Sequence, residues 1–233
     1  MLLFDGVALE SVAPVRIDDI VVSPVTQAAT VVDRAVLSGA DFVRIRGKTR
    51  TITITFAILT NDMQNRATYM QSVRRWAAKA QPCRMMLPDR IGQYIMAVCT
   101  TPPSLSLRKW WETVKMVFTS YEPFFESTGE NSSACGTPFM VNGSAEPRMQ
   151  IRENISQALD APSWVWNGKK TISLSGTVGP GALVIDLTRQ MITLNGQSIM
   201  SSYVFPDSDF FAPQIGYNNI TGPGRVFWRE RWE

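Results

Sequence analysis

The residues best suited to chemistry in this chain are short acidic, glycine-rich and cysteine patterns, and none has a histidine to work with. All 233 residues lack one. Ser-His-Asp and Cys-His nucleophile systems are therefore excluded, as are His-ligated zinc and iron sites. Asp207-Ser208-Asp209 sets two carboxylates on one side of an extended segment, a pattern that can hold a divalent cation. No third or fourth oxygen ligand stands nearby, so it reads as a solvated loop. Asp18 and Asp19 are adjacent, and on a strand they point to opposite faces. Gly176-x-x-Gly179-x-Gly181 has glycines in the reverse order of a dinucleotide loop, with no helix after it to offer its N-terminus to a phosphate. Gly168-Lys169-Lys170-Thr171 lacks the upstream glycine of a P-loop and reads as a turn. Cys83, Cys99 and Cys135 are odd in number and far apart, which suits free thiols in a reducing compartment. No catalytic residue, cofactor or metal site is expected.

Two further groups suit binding. Arg44, Arg46, Lys48 and Arg50 alternate, so an extended chain puts all four on one face. A solvated strand face is the plain reading, and an anionic partner such as passing DNA is the other. Six of the seven tryptophans cluster as Trp110-Trp111, Trp164-x-Trp166 and Trp228 with Trp232. Exposed tryptophans make sugar platforms, but shared strand faces point to core or interface roles.

These groups need elements to hold them. Ile52, Ile54, Phe56 and Ile58 alternate with threonines and Ala57, a half-buried strand. Short strands are also expected at Val15–Ile17, Ile20–Val22, Tyr94–Val98 and Trp110–Phe118. Residues 23–48 suit a long hairpin that leaves the domain body. One helix is expected over about 62–80, capped by Asn61 or Asp62 and closed by Pro82. Its stripe is Met63, Ala67, Met70, Val73, Ala77 and Ala80, with Arg66, Arg74, Arg75 and Lys79 mostly on the other side. Linker composition at 127–136 suggests two domains, 1–126 and 127–233. There are 15 basic and 10 acidic residues up to Phe125, and 8 and 10 beyond it. The second half alternates short strands with turns such as Asn195-Gly196, the pattern of a β-sandwich. The first residues lack the basic region of a signal peptide, and no apolar run nears the ~18 residues that span a bilayer. No membrane insertion is expected.

The order of these features resembles a known family. Gly47-Lys-Thr-Arg-Thr-Ile-Thr-Ile-Thr-Phe56 leads into a helix bearing Arg74-Arg75-Trp76, then Leu87-Pro88-Asp89, Tyr94 and Trp111 through Val117-Phe118. Tyr121-Glu122-Pro123-Phe124-Phe125 closes the first half. Asn142 to Pro147, Leu183-Val184-Ile185-Asp186, Leu194-Asn195-Gly196 and Phe210 through Gly216-Tyr217-Asn218-Asn219-Ile220 follow. From about Val15 to Trp232 the chain resembles the distal tail proteins (Dit) of siphovirus-type phages and prophages. Glu122 and Phe124 depart from the family's usual aspartate and tyrosine.

The resemblance implies a mainly β, non-enzymatic virion protein. It implies an N-terminal β-sandwich with one α-helix and a projecting belt hairpin at about 23–48, and a C-terminal galectin-like β-sandwich. The implied assembly is a homo-oligomer, a hexameric ring at the virion tail tip, put together in the host cytoplasm, with DNA passing only as cargo. Its implied partners are the tail tube protein, a tail-associated fibre or lysin protein, and receptor-binding proteins. Arg44, Arg46, Lys48 and Arg50 become candidates for a subunit interface or channel face. A carbohydrate-binding module acting through the C-terminal domain is the alternative function. A single-domain tail-tube protein is disfavoured by the second half. The galectin sugar site resembles His-x-Asn-x-Arg with Trp-Gly-x-Glu-x-Arg, and a chain without histidine cannot supply it.

Overall fold

The computed structural model describes residues 1–33, 40–104, 113–204 and 209–233, and gives backbone alone for 27–33 and 40–47. The chain is mainly β and divides into two compact units, Met1–Phe125 with Glu233, and Glu126–Trp232.

The first unit runs β1 (Leu3–Phe4), β2 (Val7–Ala8), α1 (Leu9–Val12), β3 (Val15–Val22), β4 (Thr26–Asp33), β5 (Ala40–Ile58), α2 (Met63–Ala77), β6 (Cys83–Met86), β7 (Gln93–Thr101) and β8 (Val114–Ser120). Antiparallel order β3-β5-β8-β7 makes one sheet. The first part of β7 pairs with β6, and β1 and β2 follow in a second sheet. Ile52, Ile54 and Phe56 sit opposite Phe118, Met116 and Val114, and all six are buried. The threonines between them face outward, so a period of two suffices to build this layer. Val15–Val22 is one strand, with a bulge between Ile17 and Asp19. The outer part of β5 pairs with β4 from Thr26↔Thr49 to Asp33↔Ala40.

Asp62 caps α2, its carboxylate accepting a 2.9 Å hydrogen bond from the Gln64 amide. Met70, Val73, Trp76 and Ala77 bury one face, and the ring of Trp76 meets Phe4 and Phe118 edge-on at 5.5 and 6.2 Å. Two differences from expectation stand out. Arg66 is buried on the same face, because it lies one turn before Met70, and the helix ends before Ala80, which is exposed. A long aliphatic stem lets an arginine occupy such a position. The four-residue α1 is an additional helical turn, too short to leave a periodic signal. Trp110 and Trp111 lie outside the described residues.

β9 (Phe125–Ser127) carries the chain into the second unit. There follow β10 (Asn131–Ala134), β11 (Phe139–Val141), β12 (Ala145–Ile155), β13 (Leu159–Asp160), β14 (Ser163–Trp166), β15 (Lys170–Ser173), β16 (Thr177–Val178), β17 (Gly181–Asp186), β18 (Met191–Leu194), β19 (Gln197–Ser198), β20 (Gly216–Asn218), β21 (Ile220–Thr221) and β22 (Arg225–Trp232). Strands β10-β22-β12-β17-β18-β19 form a six-stranded antiparallel sheet. Strands β15-β14-β21 form a three-stranded one. The core holds Met149, Ile151, Leu183, Ile185, Val226 and Trp228 from the larger sheet, with Trp164, Trp166, Ile172 and Ile220 from the smaller. Asn195 and Gly196 both have positive φ, 51° and 79°, which makes the two-residue turn between β18 and β19.

Candidate functional site

Within the first unit, β5 holds the basic row. A bulge between Gln27 and Ala28 sets Lys48 opposite Gln27 and Arg46 opposite Ala28, so Gly47 has no partner and strict alternation breaks there. Arg44 pairs with Thr30, and the side chains of Arg44 and Arg46 lie outside the described residues. Lys48 is exposed, its Nζ 5.7 Å from the centre of the Phe124 ring. Arg50 is not solvated. It continues the inward row of Ile52 and Ile54 and is only 4% exposed.

The Arg50 guanidinium carbon stands 5.6 Å from the Phe125 ring centre, and that of Arg90 stands 4.0 Å from the same ring. Two cations thus share one aromatic ring. Nε and Nη1 of Arg50 are buried without a hydrogen-bond partner among the described residues. Burial lowers the Arg50 pKa from its ordinary value, the charge of Arg90 lowers it further, and Glu233 acts in the opposite sense. Arg90 sits in the turn after Leu87-Pro88-Asp89, where its amide donates to the Leu87 carbonyl. Nothing in the local sequence links it to Arg50, 40 residues earlier. Beside it, Ile91 is 92% exposed.

In the second unit Trp228 Nε1 and Asn219 Oδ1 are buried without a hydrogen-bond partner among the described residues, but Asn218 is fully engaged. Asn218, fully buried, accepts 2.9 Å from Trp166 Nε1 and donates 2.7 and 3.1 Å to the Gln214 and Gly216 carbonyls. Trp164 Nε1 donates to the Pro223 carbonyl at 2.7 Å. Trp164, Trp166 and Trp228 are core residues, so these rings offer no platform to a sugar.

The outward face of the larger sheet carries an ordered polar chain. Arg152 grips both Glu130 oxygens at 2.9 Å, and its Nε donates to Gln150 Oε1 at 3.0 Å. Gln150 Nε2 donates to Asp186 at 2.8 Å. The Arg152 guanidinium also covers the Phe227 ring at 4.4 Å, so a groove here finds both fork and ring already engaged within the chain. On the β11–β20 ribbon, Met140 faces Tyr217 across the register, and both are exposed together with nearby Ile215.

The remaining candidates are not brought together. Asp209 pairs with Lys170 at 2.5 Å, while Asp207 and Ser208 lie outside the described residues. Asp18 accepts from Arg16 at 2.8 Å, and Asp19 is exposed. Burial pushes the Cys135 thiol up to about 11 and raises that of Cys99, which disfavours thiolate chemistry at either. Among the described residues no three His, Cys, Asp or Glu side chains gather as a metal site. No helix among them is long and apolar enough to cross a membrane.

Residues 142–232 match the family described as siphovirus-type tail component, C-terminal domain. The second unit belongs to that family. The whole chain has the Dit fold. A crystal structure of the SPP1 Dit protein superposes at a TM-score of 0.77 with 15% identity, over 100% of this chain and 98% of that one. That protein is described as a paradigm of the hub adsorption apparatus in phages infecting Gram-positive hosts. Activated baseplates of phage p2, solved with calcium and with strontium, give TM-scores of 0.42 and 0.43 at 7% and 8% identity. Those matches cover 94% of this chain in each case and 90% and 91% of the baseplate chains. No curated protein matches significantly. The tail-component match takes in Asn218 and the β12, β17 and β22 layer, and does not include the basic row of β5.

Proposed function

We propose that this Dit-like phage tail component is a structural hub of the tail tip, a homo-hexameric ring whose first unit encloses the DNA channel. On this reading residues 1–126 build the ring between the tail tube protein and a tail-associated fibre or lysin protein. The hairpin at about 23–48 reaches toward a neighbour, and residues 127–233 face outward, where receptor-binding proteins attach. The chain performs no catalysis, and assembly takes place in the host cytoplasm before the virion leaves. The observation that carries the reading is likeness to a hub protein along the entire chain, both units included. The exposed Met140, Ile215 and Tyr217 give the outer unit an apolar contact surface of the kind protein partners use. Arg44, Arg46 and Lys48 serve the ring interface or channel face.

The test is direct imaging of the purified chain, with solution mass measured alongside. Six-fold rings support the hub. A strictly monomeric chain that also fails to form rings when mixed with tail tube protein overturns it.

A further inference from the structure

Composition at 127–136 suggests a loose linker, yet its first residues are held down. Four arginines of the second unit, Arg148 and Arg152 on β12 and Arg229 and Arg231 on β22, converge on residues 126–130. Glu126, only 3% exposed, meets Arg148 Nε at 2.7 Å and Arg231 Nε at 3.5 Å. Arg229 Nη1 donates to the carbonyls of Ser127 and Thr128 at 3.2 and 3.0 Å. The Glu230 amide donates to Ser127 Oγ at 3.2 Å. At the far end Arg152 takes both oxygens of Glu130. Ser127-Thr128-Gly129-Glu130 has no large apolar side chain to bury. Charge and hydrogen bonding hold this stretch, whereas β12 and β22 are fastened by Met149, Ile151, Val226 and Trp228 in the core. A segment so attached can leave the sheet without exposing the core to water.

We infer that residues 126–130 are a releasable strap, latched at Glu126, that gives the connection between the two units a short and a long state. In the short state the chain leaves the first unit at Phe125 and is fixed at once to the second at Glu126. The strap ends at Asn131, which lies opposite Trp228 and begins the strand pairing of β10. In the long state the five residues between come free, and a fully extended stretch of that length spans up to about 17 Å. The two ends of the strap are held unequally. The Arg152 and Glu130 side chains are 38% and 30% exposed, so salt screens their pair and it contributes little. Glu126 is buried, where losing its arginines would leave a charge without a counterpart. Opening therefore begins at Glu130, and Glu126 decides whether it runs to completion. A unit with two tether lengths can meet a partner at two distances.

Amide hydrogen exchange of the full chain, read by NMR, tests this together with small-angle scattering of the same samples. Glu126→Gln should speed exchange of the 127–130 amides at least tenfold and leave β12 and β17 as protected as in wild type. Arg152→Gln should speed exchange at 129–130 alone. Wild type in about 1 M salt, where screening acts within about 3 Å, should do the same. In Glu126→Gln the maximum dimension should grow, by no more than about 17 Å. Should that variant fail to fold, Arg148→Gln, at a side chain 37% exposed, takes its place with the same expectations. Unchanged exchange at 127–130 overturns the latch. So does exchange that rises equally in β12 and β17, which would make Glu126 part of the core. Faster exchange with an unchanged maximum dimension overturns the two tether lengths.

Discussion

Asn218 in the second unit and Arg50 in the first are both shut away from water, yet their surroundings could hardly differ more. Asn218 exchanges hydrogen bonds with Trp166, Gln214 and Gly216, so that its side chain ties a core tryptophan to the β20 turn. Arg50 has an aromatic ring, a second arginine and two nitrogens with nothing to donate to. A satisfied buried polar group marks a fold that is complete by itself. An unsatisfied one stores a desolvation cost in the fold. The second unit ties Asn218 into its core by hydrogen bonds, and the first holds Arg50 by an aromatic ring and the charge of Glu233.

The largest effect should come from breaking the first core outright. Val73→Asp places an unpaired carboxylate on the buried face of α2, at a cost of several kcal/mol, about 4 or more. Two-dimensional amide NMR should then lose the dispersed signals of the first unit and retain those of 126–232. Loss of both sets would show that the second unit is not self-sufficient, and the contrast would fail.

Next comes Asn218→Ala, which strands Trp166 Nε1 in the core and removes the side-chain donor to the Gln214 carbonyl. The expected cost is about 2–4 kcal/mol, read as a lower urea midpoint at unchanged m-value. Arg50→Met is the matching change in the first unit and should cost nothing or stabilise by about 1 kcal/mol, since it removes a desolvated charge. Equal losses for the two substitutions would erase the distinction between them. A thiol probe sharpens the comparison at a smaller scale. With its pKa raised to about 11 by burial, Cys135 stays protonated at pH 8. Its alkylation there should be roughly a hundredfold slower than that of an ordinary thiol of pKa about 8.5, rising with pH toward 11. Rapid labelling at pH 8 would mean that the second core opens readily.

Much of this was readable from residue order. The inward row of β5, the capped helix and the Asn195-Gly196 hairpin each follow from a period or a turn chemistry that acts locally. Strands of two or three residues such as β1, β2, β11 and β20 span too little chain for any period, and are defined by their pairing, β1 with β2 and β6, and β11 with β20. Arg66 and Arg50 were the harder cases. Both lie in register with buried rows, Arg66 with Met70 and Val73, and Arg50 with Ile52 and Ile54. Residue type argued for solvent and register argued for the core, and register prevailed. Of the basic alternation at 44–50, Arg50 continues the buried row, whereas Lys48, two residues earlier, is exposed. Arg90 was unreadable, because only the fold brings it to Phe125.

The finest test separates two ways in which a turn specifies the second unit. Gly196 has φ of 79° and open space around the position of a Cβ, so Gly196→Ala meets only the backbone strain of a left-handed residue. That should cost about 1 kcal/mol. Gly143 has φ of 122°, and a Cβ there would lie 2.4 Å from the Arg231 carbonyl oxygen, which is backbone and cannot swing aside. Gly143→Ala must therefore displace the end of β22, and its cost should exceed that of Gly196→Ala by at least about 1 kcal/mol. If the two melt alike, β22 yields near Arg231 without loss. The second unit would then owe its completeness to side chains such as Asn218 more than to close approach of its strands.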